Sequence, residues 1–130
     1  MELEKIQISP YVYPGLKLNV EDKRIVKESV KHLRFKISKD EILEIVANEC
    51  GVTPSKILSR IREREVVNGR FMYSAILYRS FGYTLEGIGK IIGGRDHTTI
   101  SHSIEEFKNR YRNEEIFRNK VDEIYKKLGI

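Results

Sequence analysis

Two adjacent glycines, Gly93 and Gly94, stand between two apolar-periodic segments and constrain this chain more than any other feature. Lacking a Cβ, they can take positive φ, so the backbone can turn sharply and begin a new element in a new direction. Asp96 follows as an expected N-cap, its carboxylate suited to accept from the orphan N–H groups of a first helical turn. Ile100, Ile104, Phe107 and Tyr111 then recur at i, i+4, i+7 and i+11, one apolar stripe at helical period. Upstream, Thr84 is an expected cap for a shorter segment, Leu85 to Ile92, with Ile88, Ile91 and Ile92 apolar. Helices over 85–92 and 96–112, joined by Gly-Gly-Arg, predict a helix-turn-helix. Gly87 and Gly89 weaken the first of these intrinsically and are expected to let a neighbouring helix approach closely.

The remaining chain also reads as helical. Residues 1–19 form an expected arm punctuated by Pro10, Pro14 and Gly15, in which Tyr11 and Tyr13 either pin the arm to its own domain or stack on bases. A helix is expected from Glu21, with Val26, Val30, Leu33 and Ile37 on its apolar face. Ser38 and Glu41 make a capping box for the next, whose face carries Ile42, Ile45 and Val46 and which Gly51 ends. Thr53-Pro54 restarts a short helix through Ile57 and Leu58. The stretch from Ser59 to Gly69 reads as a loop, followed by a helix from about Arg70, with Met72, Tyr73, Ala75, Ile76 and Leu77 inward, to Gly82. A last helix, about Glu114 to Leu128, is expected to close the bundle through Ile116, Phe117, Val121, Ile124 and Leu128. No stretch alternates with period two for long, so the expected class is all-α.

The face of the 96–112 helix opposite its apolar stripe has an unusual composition. A solvated helix carries Lys and Glu, but the first turns here carry Asp96, His97, Thr98, Thr99, Ser101 and His102. Short hydrogen-bonding side chains of this kind can approach base edges in a DNA major groove, and a recognition helix reads bases with its N-terminal residues. The plain alternative is a cap and an exposed turn. The eight residues Gly93-Gly94-Arg95-Asp96-His97-Thr98-Thr99-Ile100 resemble the signature of the C-terminal DNA-binding domain of DnaA, the bacterial chromosomal replication initiator, with Ile100 where that family has Val. The resemblance covers roughly Ser38 to Leu128. It implies a helical, Trp-repressor-like fold containing a helix-turn-helix, and a function in sequence-specific binding of double-stranded DNA at a replication origin or in its regulation. It also implies a bacterial or phage source, a cytoplasmic, nucleoid-associated location, and no enzymatic activity or cofactor of its own. Residues 1–37 are then an arm with an extra helix, and 38–130 the DNA-binding domain. With Met1 at the start, that division suggests a standalone relative rather than a piece of an initiator.

Charge and composition fit. The chain holds 24 Lys/Arg against 19 Asp/Glu over 130 residues. Residues 1–50 balance, with 9 of each sign, so the whole excess lies in the region that carries the motif. Within it, Arg60, Arg62, Arg64 and Arg70 cluster. By the resemblance Arg62 enters a minor groove, where A·T-rich narrowing favours guanidinium, and Arg64 and Arg70 touch phosphates. Arg60, Arg95 and Lys90 are further expected phosphate contacts. Asp96, His97, Thr98, Thr99 and His102 are the expected base readers. Glu63 and Glu65 depart from the family's more basic loop, and Asn68-Gly69-Arg70-Phe71 replaces its usual Arg-Pro-Arg-Gln type of ending. The initiator's own site preference therefore does not carry over.

Other chemistries find little support. His97 and His102 are five apart, about 140° around a helix, against the i, i+4 spacing of a helical metal pair. Cys50 is the single cysteine, which rules out an internal disulfide. No Gly-x-x-x-x-Gly-Lys-Ser/Thr occurs, so the initiator's ATPase module is not in this chain. No apolar run approaches the ~20 residues of a membrane span. A protein-interaction or transcription-regulatory module on the same scaffold, with a partner on the tyrosine-bearing arm, is the alternative.

Overall fold

The structure, a computed structural model, describes residues 37–130. The expected arm and the helix from Glu21 lie outside the described residues, except for Ile37, a half-buried bend. Six helices follow, and no strand occurs among the described residues. They are α1 (Lys39–Cys50), α2 (Pro54–Ile57), α3 (Arg64–Ser80), α4 (Leu85–Ile91), α5 (His97–Asn113) and α6 (Glu115–Leu128).

The caps that the sequence marks mostly act as expected. Ser38 Oγ accepts from the Glu41 amide at 3.2 Å, and Gly51 ends α1 at φ 71°. Thr84 Oγ1 accepts from the Gly87 amide at 3.0 Å. Thr53 precedes Pro54 at the head of α2 but makes no capping bond, its hydroxyl lying 3.3 Å from that of Ser55.

Helix α3 is the axis of the domain, packed against α1, α5, α4 and α2. Met72, Tyr73, Ala75, Ile76 and Leu77 are fully buried along it, and the Tyr73 hydroxyl donates to the Lys39 carbonyl at 3.1 Å. Its start corrects the sequence expectation: α3 begins at Arg64, not near Arg70, so Arg64 and Arg70 are helical. Asn68-Gly69 looks like a turn by local propensity. Tertiary contacts override it. A Cβ on Gly69 would sit 3.0 Å from Ile57 Cδ1, so the missing side chain lets α2 pack against α3. Asn68 is buried, and its Oδ1 accepts from Arg110 of α5.

The α4–turn–α5 unit closes on itself at one point. Gly93 and Gly94 both adopt left-handed φ, 66° and 71°, which returns the chain so that the Arg95 amide donates to the Gly89 carbonyl at 2.7 Å. A Cβ on Gly89 would lie 2.1 Å from the Arg95 carbonyl oxygen. Gly89 thus admits first the turn itself, with Ile100 of the neighbouring helix α5 at 3.7 Å from the same position. Gly87 admits neither; a Cβ there would meet the capping hydroxyl of Thr84 at 3.0 Å.

Ile100, Ile104 and Phe107 of α5 are buried, and Phe107 packs edge-on against Phe117 of α6 with centroids 5.7 Å apart. In α6 the inward stripe is Phe117, Val121, Ile124 and Leu128. Ile116 does not join it and is 73% exposed. It precedes Phe117 by one residue, about 100° around the helix, which takes it off the buried face.

The close approach at Gly89 makes a stability prediction. Gly89→Ala is expected to cost about 3 kcal/mol or more, because a methyl against a fixed backbone carbonyl forces the turn open. Gly94→Ala, with nothing within 4 Å of its Cβ, should cost only about 1–2 kcal/mol for the positive φ. Chemical denaturation of the two variants measures the difference, and equal losses would contradict the packing given for Gly89.

Candidate nucleic-acid interface

Asp96, His97, Thr98, Thr99 and His102 are all exposed, above a buried Ile100 that seats α5 on the core. Asp96 occupies the N-cap position with extended backbone, but its carboxylate makes no capping bond. Instead its Oδ1 lies 3.0 Å from His97 Nδ1. The carboxylate thus stands beside the imidazole, whereas the sequence expectation spent it on the backbone.

The connector from Ser59 to Glu63 projects Arg60 and Arg62 into solvent. Its origin is fixed by guanidinium groups that the sequence placed on phosphates. Arg70 is 7% exposed; its Nε donates to the Ile57 carbonyl at 2.8 Å and its Nη2 to the Lys56 carbonyl at 3.1 Å. Arg95 Nη2 donates to the Ser59 carbonyl at 2.8 Å. The Lys56 and Ile57 carbonyls stand at the C-terminal end of the short helix α2 and the Ser59 carbonyl just beyond it, and cationic donors suit a helix C-terminus. Ser59 Oγ also donates to the Lys56 carbonyl, at 2.6 Å, and accepts from the Ile61 amide at 3.2 Å. Gly93 completes the contact, since a Cβ there would meet the Leu58 carbonyl at 3.0 Å. The connector and the α4–α5 turn are thus one packed unit. The expectation that Arg70 lies in the loop with its charge outward is corrected.

Arg60, Arg62, Arg70, Arg95, Thr99 and His102 line one cleft of about 480 Å³ between the connector and α5. No Asp or Glu is among its lining residues. Burial, with the neighbouring guanidiniums of Arg95 and Arg62, pushes the Arg70 pKa down; burial, then Arg60, does the same to Arg95. The cleft is a concentration of positive charge that its own protein leaves unneutralised.

Arg64 stands apart from this cleft. Its Nη2 pairs with Glu114 Oε1 at 3.1 Å, at the α5–α6 junction, and its side chain is 74% exposed. Glu65 turns to Lys120 of α6 at 2.7 Å, so one of the two carboxylates expected to oppose phosphates points elsewhere. Phe71 carries the Arg110 guanidinium over its ring, 5.0 Å from the centroid, and also lines the cleft. Lys90 is exposed in the last turn of α4. Cys50 is buried with its thiol 3.6 Å from Met72 Sδ; burial pushes its pKa up to about 11, which suits an inert core residue. No helix among the described residues is long and apolar enough to cross a membrane.

Sequence reasoning missed Ser74, which is 1% exposed and also lines the cleft. Its signal was the i, i+4 spacing from Arg70, visible only once both are known to be helical.

A bent pair of helices with an exposed polar first turn and an adjoining arginine connector defines a helix-turn-helix protein. The sequence comparisons give the family: the chain matches, over residues 39–107, the family described as the bacterial dnaA protein helix-turn-helix, and it belongs to that family. It is 31% identical over 111 residues to the chromosomal replication initiator protein DnaA of Nautilia profundicola, covering 83% of this chain and 25% of that protein. It is 45% identical over 65 residues to the DnaA of Ureaplasma parvum, covering 50% of this chain and 14% of that protein. To the DnaA of Flavobacterium psychrophilum it is 31% identical over 108 residues, covering 83% of this chain and 23% of that protein. The chain thus spans about a quarter or less of the length of these relatives. A likeness over 83% of the chain is longer than the stretch from Ser38 to the C-terminus, so it runs back into residues 1–37, beyond the limit that the signature suggested.

Removing the Arg70 fork is expected to free the connector. Arg70→Met should cost about 2–3 kcal/mol of stability, the range for buried charge-assisted bonds to backbone. It should also raise amide hydrogen exchange at residues 59–63 more than at α6, and uniform exchange across the domain would count against a local role.

Proposed function

We propose that residues 38–130 bind double-stranded DNA sequence-specifically, in the initiation of replication or its regulation. The observation that carries this is the single cleft shared by the arginine connector and the exposed first turns of α5, with no carboxylate in its lining. Two reading elements set side by side on one rigid unit suit adjacent grooves of a duplex.

The polar turn enters the major groove. His97, Thr98 and Thr99 meet base edges, with Thr methyl groups suited to thymine and the imidazole able to bond an exocyclic group. His102, one turn further along, meets either a base edge or a sugar–phosphate oxygen. Arg62 reaches the neighbouring minor groove, where a narrow A·T-rich segment concentrates negative potential. Arg60 and Lys90 hold phosphates and set the register. Arg95 and Arg70 hold the connector at the right distance from α5, with Arg95 half-exposed and close enough to reach a phosphate as well. Arg64, paired with Glu114, contributes less. The role is binding rather than catalysis, with the nucleoid of a bacterial or phage-infected cytoplasm as its setting. The site preference is this chain's own, because Phe71 and the Glu63–Glu65 stretch differ from the family's loop.

Selection of bound sequences from a random duplex pool, followed by mobility shifts over a salt series, tests the proposal. His97→Ala and Thr98→Ala are each expected to cost about 1–3 kcal/mol on the selected site and little on unrelated duplex. Arg60→Ala should weaken all sequences alike and reduce the log–log salt slope by about 1, and Arg64→Ala should change it less. Absence of any shift at low salt would overturn the proposal.

A further inference from the structure

A second cleft, of about 490 Å³, opens where α3, α5 and α6 meet. Its cations come from all three helices: Arg79 of α3, Lys108 and Arg112 of α5, and Arg118 of α6. The rest of its lining is aromatic, with Phe107 buried and Tyr111 and Tyr125 half-buried. Phe107 and Tyr111 stack with centroids 6.0 Å apart. No Asp or Glu is among the lining residues. Two carboxylates stand beside it: Glu105 pairs with Lys108 at 3.1 Å, and Asp122 accepts from the Tyr111 hydroxyl at 2.7 Å. Four cations against two anions leave the cleft positive. Arg118 Nη1 donates to the Tyr111 and Arg112 carbonyls at 3.2 and 3.4 Å, which holds its guanidinium at the end of α5. Arg112 is exposed and pairs with no carboxylate among the described residues.

We propose that this cleft docks an acidic peptide segment of a partner protein, with an apolar side chain seated on Phe107, Tyr111 and Tyr125 and carboxylates meeting the surrounding cations. Charge complementarity selects the acidic partner. The aromatic lining selects a peptide over a duplex or a lipid surface. Phosphates would answer the charge but leave that apolar surface uncovered, whereas a side chain buries it. Cations on three helices also favour several carboxylates along one chain over a single anionic group. Arg and Tyr are the side chains that interfaces concentrate. Nine positions separate Thr99, on the connector cleft, from Lys108 on this one, about 180° around α5 and about 14 Å along it. Partner and duplex can therefore be held together, and the docking site stands apart from the duplex reading.

The test is an NMR titration of the full chain with a synthetic dodecapeptide of alternating Glu and Ser around one central Phe. Saturable shifts are expected at Phe107, Tyr111, Arg112 and Tyr125, and weaker binding when the peptide's Phe is replaced by Ala or its Glu by Gln. Arg112→Glu is expected to lower peptide affinity about tenfold or more while leaving the thermal midpoint unchanged, since the side chain is exposed. Arg60→Glu, which makes the same charge change on the other cleft, should leave most of the affinity. Equal losses in the two variants, or shifts confined to residues 59–63 and 97–102, would show general attraction to positive charge and overturn the proposal. So would binding to phosphatidylglycerol vesicles with none to the peptide. Two further results, each without peptide binding, would replace the partner by another occupant and also overturn it. Shifts in residues 1–36 on Arg112→Glu would identify the chain's own segment, and a dimer dissolved by Arg112→Glu a second copy.

Discussion

The contact between the Arg95 amide and the Gly89 carbonyl, 2.7 Å long, sets the geometry on which the binding face depends. It is made possible by an absent side chain at Gly89 and by two left-handed glycines in succession. With the backbone returned at that point, Arg95 is delivered to the Ser59 carbonyl and Asp96 to the head of α5. One turn therefore positions both the polar helix and the connector beside it.

Arginine has two kinds of use in this small domain. Arg70 and Arg110 are spent inside it: Arg70 satisfies the carbonyl end of α2, and Arg110 ties α5 to Asn68 and Phe71 of α3. Arg60 and Arg62 are exposed. Arg95 is intermediate, with one amino group committed to backbone and its Nε buried without a partner. A cluster of like charges is tolerable in the folded protein when part of it is dispersed onto backbone carbonyls, which carry partial negative charge without adding a carboxylate that would repel an anionic ligand. The arrangement keeps the cleft positive while holding it rigid.

Legibility in the sequence followed locality. The Gly93-Gly94 turn, the Ser38 and Thr84 caps, the Gly51 terminator and the stripe Ile100, Ile104, Phe107 depend on residues within one or two turns of each other, and they were readable. The start of α3 was not, because Asn68-Gly69 favours a turn until Ile57 and Arg110 arrive from elsewhere in the chain. Arg70 was misplaced for the same reason. A guanidinium reads as a solvent-facing charge in any one-dimensional pattern, and only folding shows the carbonyls that it meets. Ile116 erred in the opposite sense, an apolar residue one position off a stripe that tertiary packing centres on Phe117.

By itself, the sequence determined that the described domain is helical, where its sharpest turn lies and which residues crown the helix after it, since those follow from backbone sterics and period. The tertiary structure decided which charges face outward. Whether a guanidinium is a ligand-binding group or an internal strut depends on the distance to carbonyls many residues away, and no local pattern encodes that distance.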